Sequence, residues 1–505
     1  MYSRTKVSID TEGVMGTLLQ QLKEYSKSDY YPMHMPGHKR NLELLEGFHP
    51  YAIDITEIDG FDNLHHAEGV LRDLVERIEK LYHAEKSFLL VNGSTVGILA
   101  GISACVNKGD KVIIARNCHK SVYNAVILNE LDPIYLYPQY NKEYGIAGGI
   151  LPNDLEKLLI ENPETKLVVI TSPTYEGIAS DVRKLSDICH KKGVKLLVDE
   201  AHGAHLIFHD AFPETSVTAG ADIVIHSIHK TLPAFTQSAI MHVSGDETLK
   251  NGVAMYLGIY ETSSPSYLLM AGVDQCMCLL EEKAKDLFSA YYDQLVLFFS
   301  EVQGLKHLRV MAAERFGSPH SSEEAKKDMD MSKILISVKN TNITGYELSH
   351  LLLSKYHIQL EMSSFEYGLA MTSIADTEQG FIRLRDALYE IDETLEFTTN
   401  SEYDGFAWEC LNCKNGKGLV PSDAAQAETV PVLLEKSKEQ IATEHIIIYP
   451  PGVPLVAAGE RISESAVHLV ETALQTGYEV LGVSKLKDHR FYVNIVKETK
   501  EMVLG

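Results

Sequence analysis

Between residues 71 and 225, short apolar runs alternate with segments of helical period, and this alternation restricts the possible fold more than any other feature of the chain. The runs are residues 87–91, 111–115, 167–171, 195–198 and 221–225, all rich in Val, Ile or Leu. Residues 71–82 carry apolar side chains at helical spacing, residues 93–105 open a second helix, and a third starts at Lys120. Strand–helix–strand order predicts an α/β fold, a mostly parallel sheet with helices on both faces. Such sheets bind ligands beyond the carboxyl ends of their strands, so the residues after each run are the ones to inspect.

With 505 residues the chain is too long for one ordinary domain. The expected organisation is an N-terminal arm (1–70), a large sheet domain (71–300), a small α/β domain (301–398) and a C-terminal domain (399–505). In the arm, the prolines and glycine of Tyr31-Pro-Met-His-Met-Pro-Gly-His38 exclude a continuous helix. The small domain is expected to hold a strand at 332–338 and a helix at 346–356. Residues 399–443 read as polar and loop-like, with a helix near 431–440. A formal charge of −24 disfavours nucleic acid and anionic membranes as partners; it suits cationic small molecules, or serves solubility alone. No apolar run of membrane-spanning length and no signal peptide are evident, so a cytoplasmic location is expected. Seven cysteines, an odd number, point to free thiols. Cys410 and Cys413 form one CxxC pair, and without a second pair at suitable spacing no zinc site is expected.

Four segments at strand ends carry residues with chemical potential. After the run 87–91, Gly93, Ser94 and Thr95 open a helix, whose free N–H groups suit a phosphate; ordinary N-capping is the alternative. His119, in Arg116-Asn-Cys-His-Lys-Ser121, would sit above the sheet edge, where an imidazole can stack on a flat cofactor or simply cap a helix. Asp199 ends a buried run, where a carboxylate needs a partner; a pyridinium N–H or a metal would serve. Lys230, in Ser227-Ile-His-Lys230, lies 31 residues further on. A buried lysine near a second cation gains the lowered pKa that Schiff-base chemistry requires. Hydroxyls, histidine, aspartate and lysine at successive strand ends together predict a pyridoxal-phosphate (PLP) site.

The motifs RNCHKS (116–121), VDEAHG (198–203), SIHK (227–230), TSSPSY (262–267) and YPPGVPL (449–455), with HMPGH (34–38), resemble the bacterial lysine/ornithine/arginine decarboxylases of PLP fold type I. The resemblance runs over nearly the whole chain. It implies that Ser94, Thr95 and Ser227 bind the phosphate, that His119 stacks on the ring, and that Asp199 pairs with the ring nitrogen. It places His202 near the ring hydroxyl, makes Lys230 the Schiff-base lysine with His229 beside it, and aims Ser264 at a neighbouring subunit's phosphate. It sets Glu460 opposite the distal nitrogen of a cationic amino-acid substrate. The HMPGH motif starts at residue 34, which leaves no room for the N-terminal receiver-like domain of the large inducible members, so a homodimer or oligomer of dimers is expected rather than a decamer.

Decarboxylation of lysine, arginine or ornithine is the expected reaction, with His119 and Lys230 as candidate donors of the Cα proton. An aminotransferase or β-eliminating lyase of the same fold would share Asp199 and Lys230; HMPGH and YPPGVPL favour the decarboxylase. A non-catalytic regulator is disfavoured because neither terminus reads as a DNA-binding helix-turn-helix.

Overall fold

The computed structural model describes residues 28–34, 37, 39, 41, 54–58, 61–311, 328–398, 406–449, 452–487 and 489–497. Its centre is a seven-stranded sheet. In chain order the strands are β1 (Lys86–Leu90), β2 (Lys111–Ala115), β3 (Asp132–Leu136), β4 (Leu167–Thr171), β5 (Lys195–Asp199), β6 (Ile223–His226) and β7 (Ala239–Val243). In space they run β1-β7-β6-β5-β4-β2-β3, and only β7 is antiparallel to its neighbours.

Side chains alternate across a strand, and β1 and β7 show the consequence. Leu89 and Ile240 enter one core with Leu74 and Ile78 of helix α1 (Val70–Tyr82) and Met277 of the 35-residue helix Tyr267–Glu301. Leu90 and Met241 enter the opposite core with Ile98 and Ile102 of helix α2 (Gly93–Cys105) and Val253 and Leu257 of Glu247–Tyr260. Helix α2 lies close to the strands because it presents glycine to them. A Cβ on Gly97 would come within 2.8 Å of Leu90, and one on Gly101 within 2.9 Å of Leu197.

A second, antiparallel sheet joins Arg309–Val310, Lys333–Ser337, Tyr367–Met371 and Met362–Ser363. It packs with helices Gly345–Tyr356, which starts in a Thr344/Glu347 capping box, and Glu378–Asp392. From the N-terminal arm, Tyr31–Met33 adds a short parallel pairing to Ile358–Leu360. Past residue 406 two three-stranded sheets share a core with helix Glu464–Thr476. The helix expected near 431–440 is replaced by strand Thr429–Leu433 and one turn of 3-10 helix, because the Val-rich segment pairs along its length with Phe491–Val496. Among the described residues, no helix is long and apolar enough to cross a membrane.

Candidate active site

At the carboxyl ends of β2, β4, β5 and β6 the sheet opens into a cavity of about 220 Å³. Ser94, His119, Asp199, His202 and Lys230 line it together. Gly93, at φ +74°, turns the chain sharply from β1 into α2. Among the described residues no side chain caps that helix, which leaves its first-turn N–H groups available beside Ser94, a lining residue of the cavity. His119 is itself a helix N-cap, its Nδ1 accepting from the Ser121 N–H at 3.3 Å.

Asp199 is buried at the last position of β5 and accepts the Ala201 N–H at 3.2 Å. Lys230 follows β6 in a one-turn helix, with Nζ 3.1 Å from His202 Nε2. Burial lowers the Lys230 pKa; Lys333 pushes the same way, while Asp199 and Glu361 oppose them. Burial, helped by Lys230, also holds His202 well below the usual imidazole range, so His202 is neutral at pH 7. Its ring packs against Tyr175 at a centroid distance of 4.6 Å, and Tyr175 Oη donates to Glu361 Oε1 at 2.5 Å.

The donor set fits pyridoxal phosphate. Among the described residues, four buried polar atoms at this end have no hydrogen-bond partner: Ser227 Oγ, His202 Nδ1, Thr171 Oγ1 and Asn117 Oδ1. An uncapped helix start beside hydroxyls suits a phosphate, a buried carboxylate suits a protonated ring nitrogen, and a desolvated lysine suits the aldehyde carbon. Among the described residues, no group of three or more His, Cys, Asp or Glu side chains is arranged to hold a metal ion.

Other expected residues lie elsewhere. Thr95, Ser227 and His229 do not line the cavity; Ser227 is buried, and His229 Nδ1 is 2.9 Å from the Ser238 carbonyl. Ser264 sits on an exposed turn, its N–H donating to Thr262 Oγ1. Glu460 lies apart from these residues. It is 7% exposed and does not line the cavity. Arg116 grips both its oxygens, at 3.0 and 2.9 Å, and Asn415 and the Ala457 N–H donate to Oε2. Arg116 also donates to the Leu455 carbonyl and lies over the Tyr135 ring at 4.3 Å. A carboxylate so occupied is a structural partner of Arg116, not a free group facing a substrate.

The segment after β4 was missed in the sequence. Thr171, Thr174, Tyr175 and Glu176 all line the cavity. Inspecting the end of that strand as the others were inspected would have found them. The same cavity is also lined by Glu366 and Tyr367 and by the rings of Phe365, Phe406 and Tyr478.

Comparison with known proteins follows the same outline. The model of the Orn/Lys/Arg decarboxylase major domain matches residues 17–315, and that of the Orn/Lys/Arg decarboxylase C-terminal domain matches residues 420–480. The chain is 32% identical to an arginine decarboxylase of Halalkalibacterium halodurans over 464 residues, covering 91% of this chain and 93% of that one. It is 29% identical to an arginine decarboxylase of Bacillus subtilis over 487 residues, covering 95% and 97%. Lysine decarboxylase A from Pseudomonas aeruginosa has a similar fold, with a TM-score of 0.76 at 19% identity over 95% of this chain and 80% of that chain.

Proposed function

The chain belongs to the Orn/Lys/Arg decarboxylase family, whose PLP-dependent enzymes decarboxylate basic amino acids, and we propose that this member converts arginine to agmatine and CO2 with its cofactor held on Lys230. The observation that carries the reading is one cavity joining Lys230, Asp199 and His119 to a chamber lined by carboxylates and aromatic rings. Arginine is chosen over lysine because the relatives matched over nine-tenths of both chains bear the name arginine decarboxylase.

Bound PLP supplies the electron sink for the pair released when CO2 leaves. The protein supplies position and charge. Lys230, its ammonium destabilised by burial, presents a nucleophilic amine. Asp199 would hold a proton on the ring nitrogen, and the start of α2 with Ser94 would anchor the phosphate. Neutral His202, whose Nε2 lies 3.1 Å from Lys230 Nζ, orients that amine. His119, at the open rim, and Lys230 are the groups placed to return a proton to Cα.

Borohydride reduction of the holoenzyme followed by peptide mapping should place the pyridoxyl group on Lys230, and Lys230→Ala should lose the visible absorbance. A label on another lysine would overturn the assignment. Wild-type enzyme offered arginine, lysine and ornithine should release CO2 fastest from arginine; faster turnover of either other amino acid refutes the substrate.

A further inference from the structure

We propose that Glu176 is the residue that reads the distal guanidinium of the substrate. This inference rests on the decarboxylase reading and adds the specificity residue to it.

Glu176 is 5% exposed, yet it lines the cavity. Its Oε1 accepts from Tyr367 Oη at 2.9 Å, which fixes the carboxylate from one side. Among the described residues no lysine, arginine or histidine pairs with it, and burial raises its pKa above the usual carboxylate range. A buried carboxylate without a cation is costly. One that faces a cavity recovers that cost when a cationic ligand arrives.

The surroundings match a guanidinium in particular. Phe365 and Tyr478 stand 5.0 Å apart, and Phe406 and Tyr478 5.4 Å apart, centroid to centroid. Planar guanidinium stacks on such rings and offers forked donors to a carboxylate, whereas a compact ammonium gains less from either. Apolar side chains of Ile146, Val453 and Leu455 line the same cavity and suit the aliphatic stem. The reach is set by the chain itself. Tyr175 packs on His202, the partner of Lys230, and Glu176 is the next residue. Other acids are less suited: Glu460 is occupied by Arg116, and Glu366 has Lys339 Nζ at 3.6 Å.

The test uses the holoenzyme and Glu176→Gln, which keeps shape and removes charge. KM for arginine should rise by roughly 10- to 100-fold, the range for a lost charged hydrogen bond, with a smaller change in kcat. Agmatine binding, measured by calorimetry, should weaken by a similar factor. Preference for arginine over citrulline, its uncharged ureido isostere, should shrink. The cofactor absorbance and melting temperature report whether the variant is intact. Unchanged arginine KM and agmatine affinity in an intact variant would overturn the proposal. If Glu176→Gln fails to hold cofactor, Tyr367→Phe decides, because it keeps the carboxylate and removes its anchoring hydrogen bond. A raised arginine KM with normal absorbance supports the role, and an unchanged KM overturns it. Should the wild type prefer lysine, the arginine reading fails; Glu176 then stands as the distal subsite if Glu176→Gln raises the lysine KM, and falls if it does not.

Discussion

Arg116 and Glu460 show how one carboxylate can be assigned two very different roles. A glutamate in an acidic chain, near an apolar motif, reads as a substrate contact. In the fold it closes a buried bidentate pair that ties the segment after β2 to the C-terminal region. Which applies is decided by what removal leaves behind. Glu460→Gln strands a buried guanidinium, and breaking such a pair costs about 3–5 kcal/mol. Urea unfolding should therefore show a large loss of stability, while the intact fraction keeps an arginine KM within a few-fold of wild type. A sharp rise in KM at unchanged stability would instead return Glu460 to the substrate. The sequence could not separate these outcomes because the pair is 344 residues apart.

Five of the seven strands of the sheet are legible in the sequence to within about two residues, because their runs are rich in Val, Ile or Leu, whereas β3 and β7 are not legible. What the sequence hid was hidden by tertiary pairing of polar groups. Strand β7 carries His242, which breaks the apolar pattern; inside the sheet its ring joins a chain from Ser87 through His226 to Glu200. Strand Thr429–Leu433 falls where the sequence pattern predicts loop and the start of a helix near 431–440, because its ladder partner lies some sixty residues downstream. The motif HMPGH was recognisable, but its purpose was not. Of that motif the structure describes His34 and Gly37. The Gly37 N–H donates to the His229 carbonyl at 2.6 Å, and a Cβ there would come within 2.7–2.9 Å of the backbone at Thr231 and Leu232. At Gly101 a Cβ meets side chains alone, Leu197 Cδ1, Met241 Cε and Ile223 Cγ2, which can shift at some cost, and the roughly 1 kcal/mol that alanine adds to the helix offsets part of it, so Gly101→Ala should cost less than Gly37→Ala. At Gly37 the obstacle is backbone, which cannot step aside alone. Gly37→Ala should displace the turn that carries Lys230 and lower cofactor occupancy, read as visible absorbance per chain. Full occupancy would show that the arm does not position that turn.

At the scale of the molecule, the two cavity walls most remote from each other in chemical role are joined to the second sheet by one buried cluster. The loop after β4, bearing Tyr175 and Glu176, pairs with the segment leading into Lys333–Ser337: the Asp330 N–H donates to the Gly177 carbonyl at 2.8 Å, and the Ala179 N–H to Asp328. The loop after β5, bearing His202, reaches the same place, with His205 Nε2 3.0 Å from Asp330 Oδ1. Lys333 Nζ lies 3.3 Å from Asp330 Oδ2, and neither side chain is exposed to solvent. Asp330 therefore compensates the buried ammonium while fixing both loops, and His205 and Lys333 hold its pKa below the ordinary carboxylate range against the opposing effect of burial. A depressed folded-state pKa means that its contribution is complete above about pH 4, the unfolded value, and is lost as pH falls through the folded one. Asp330→Asn leaves Lys333 buried without its counter-charge, at a cost of about 3–5 kcal/mol at pH 7. The stability gap between wild type and variant should then narrow as pH drops below about 4, because only the wild type has this carboxylate to protonate. Denaturant melts at pH 7 and in the acid range measure both quantities. A gap that stays constant across that range would mean that Asp330 acts through packing, and that its charge does not couple the second sheet to the active-site loops.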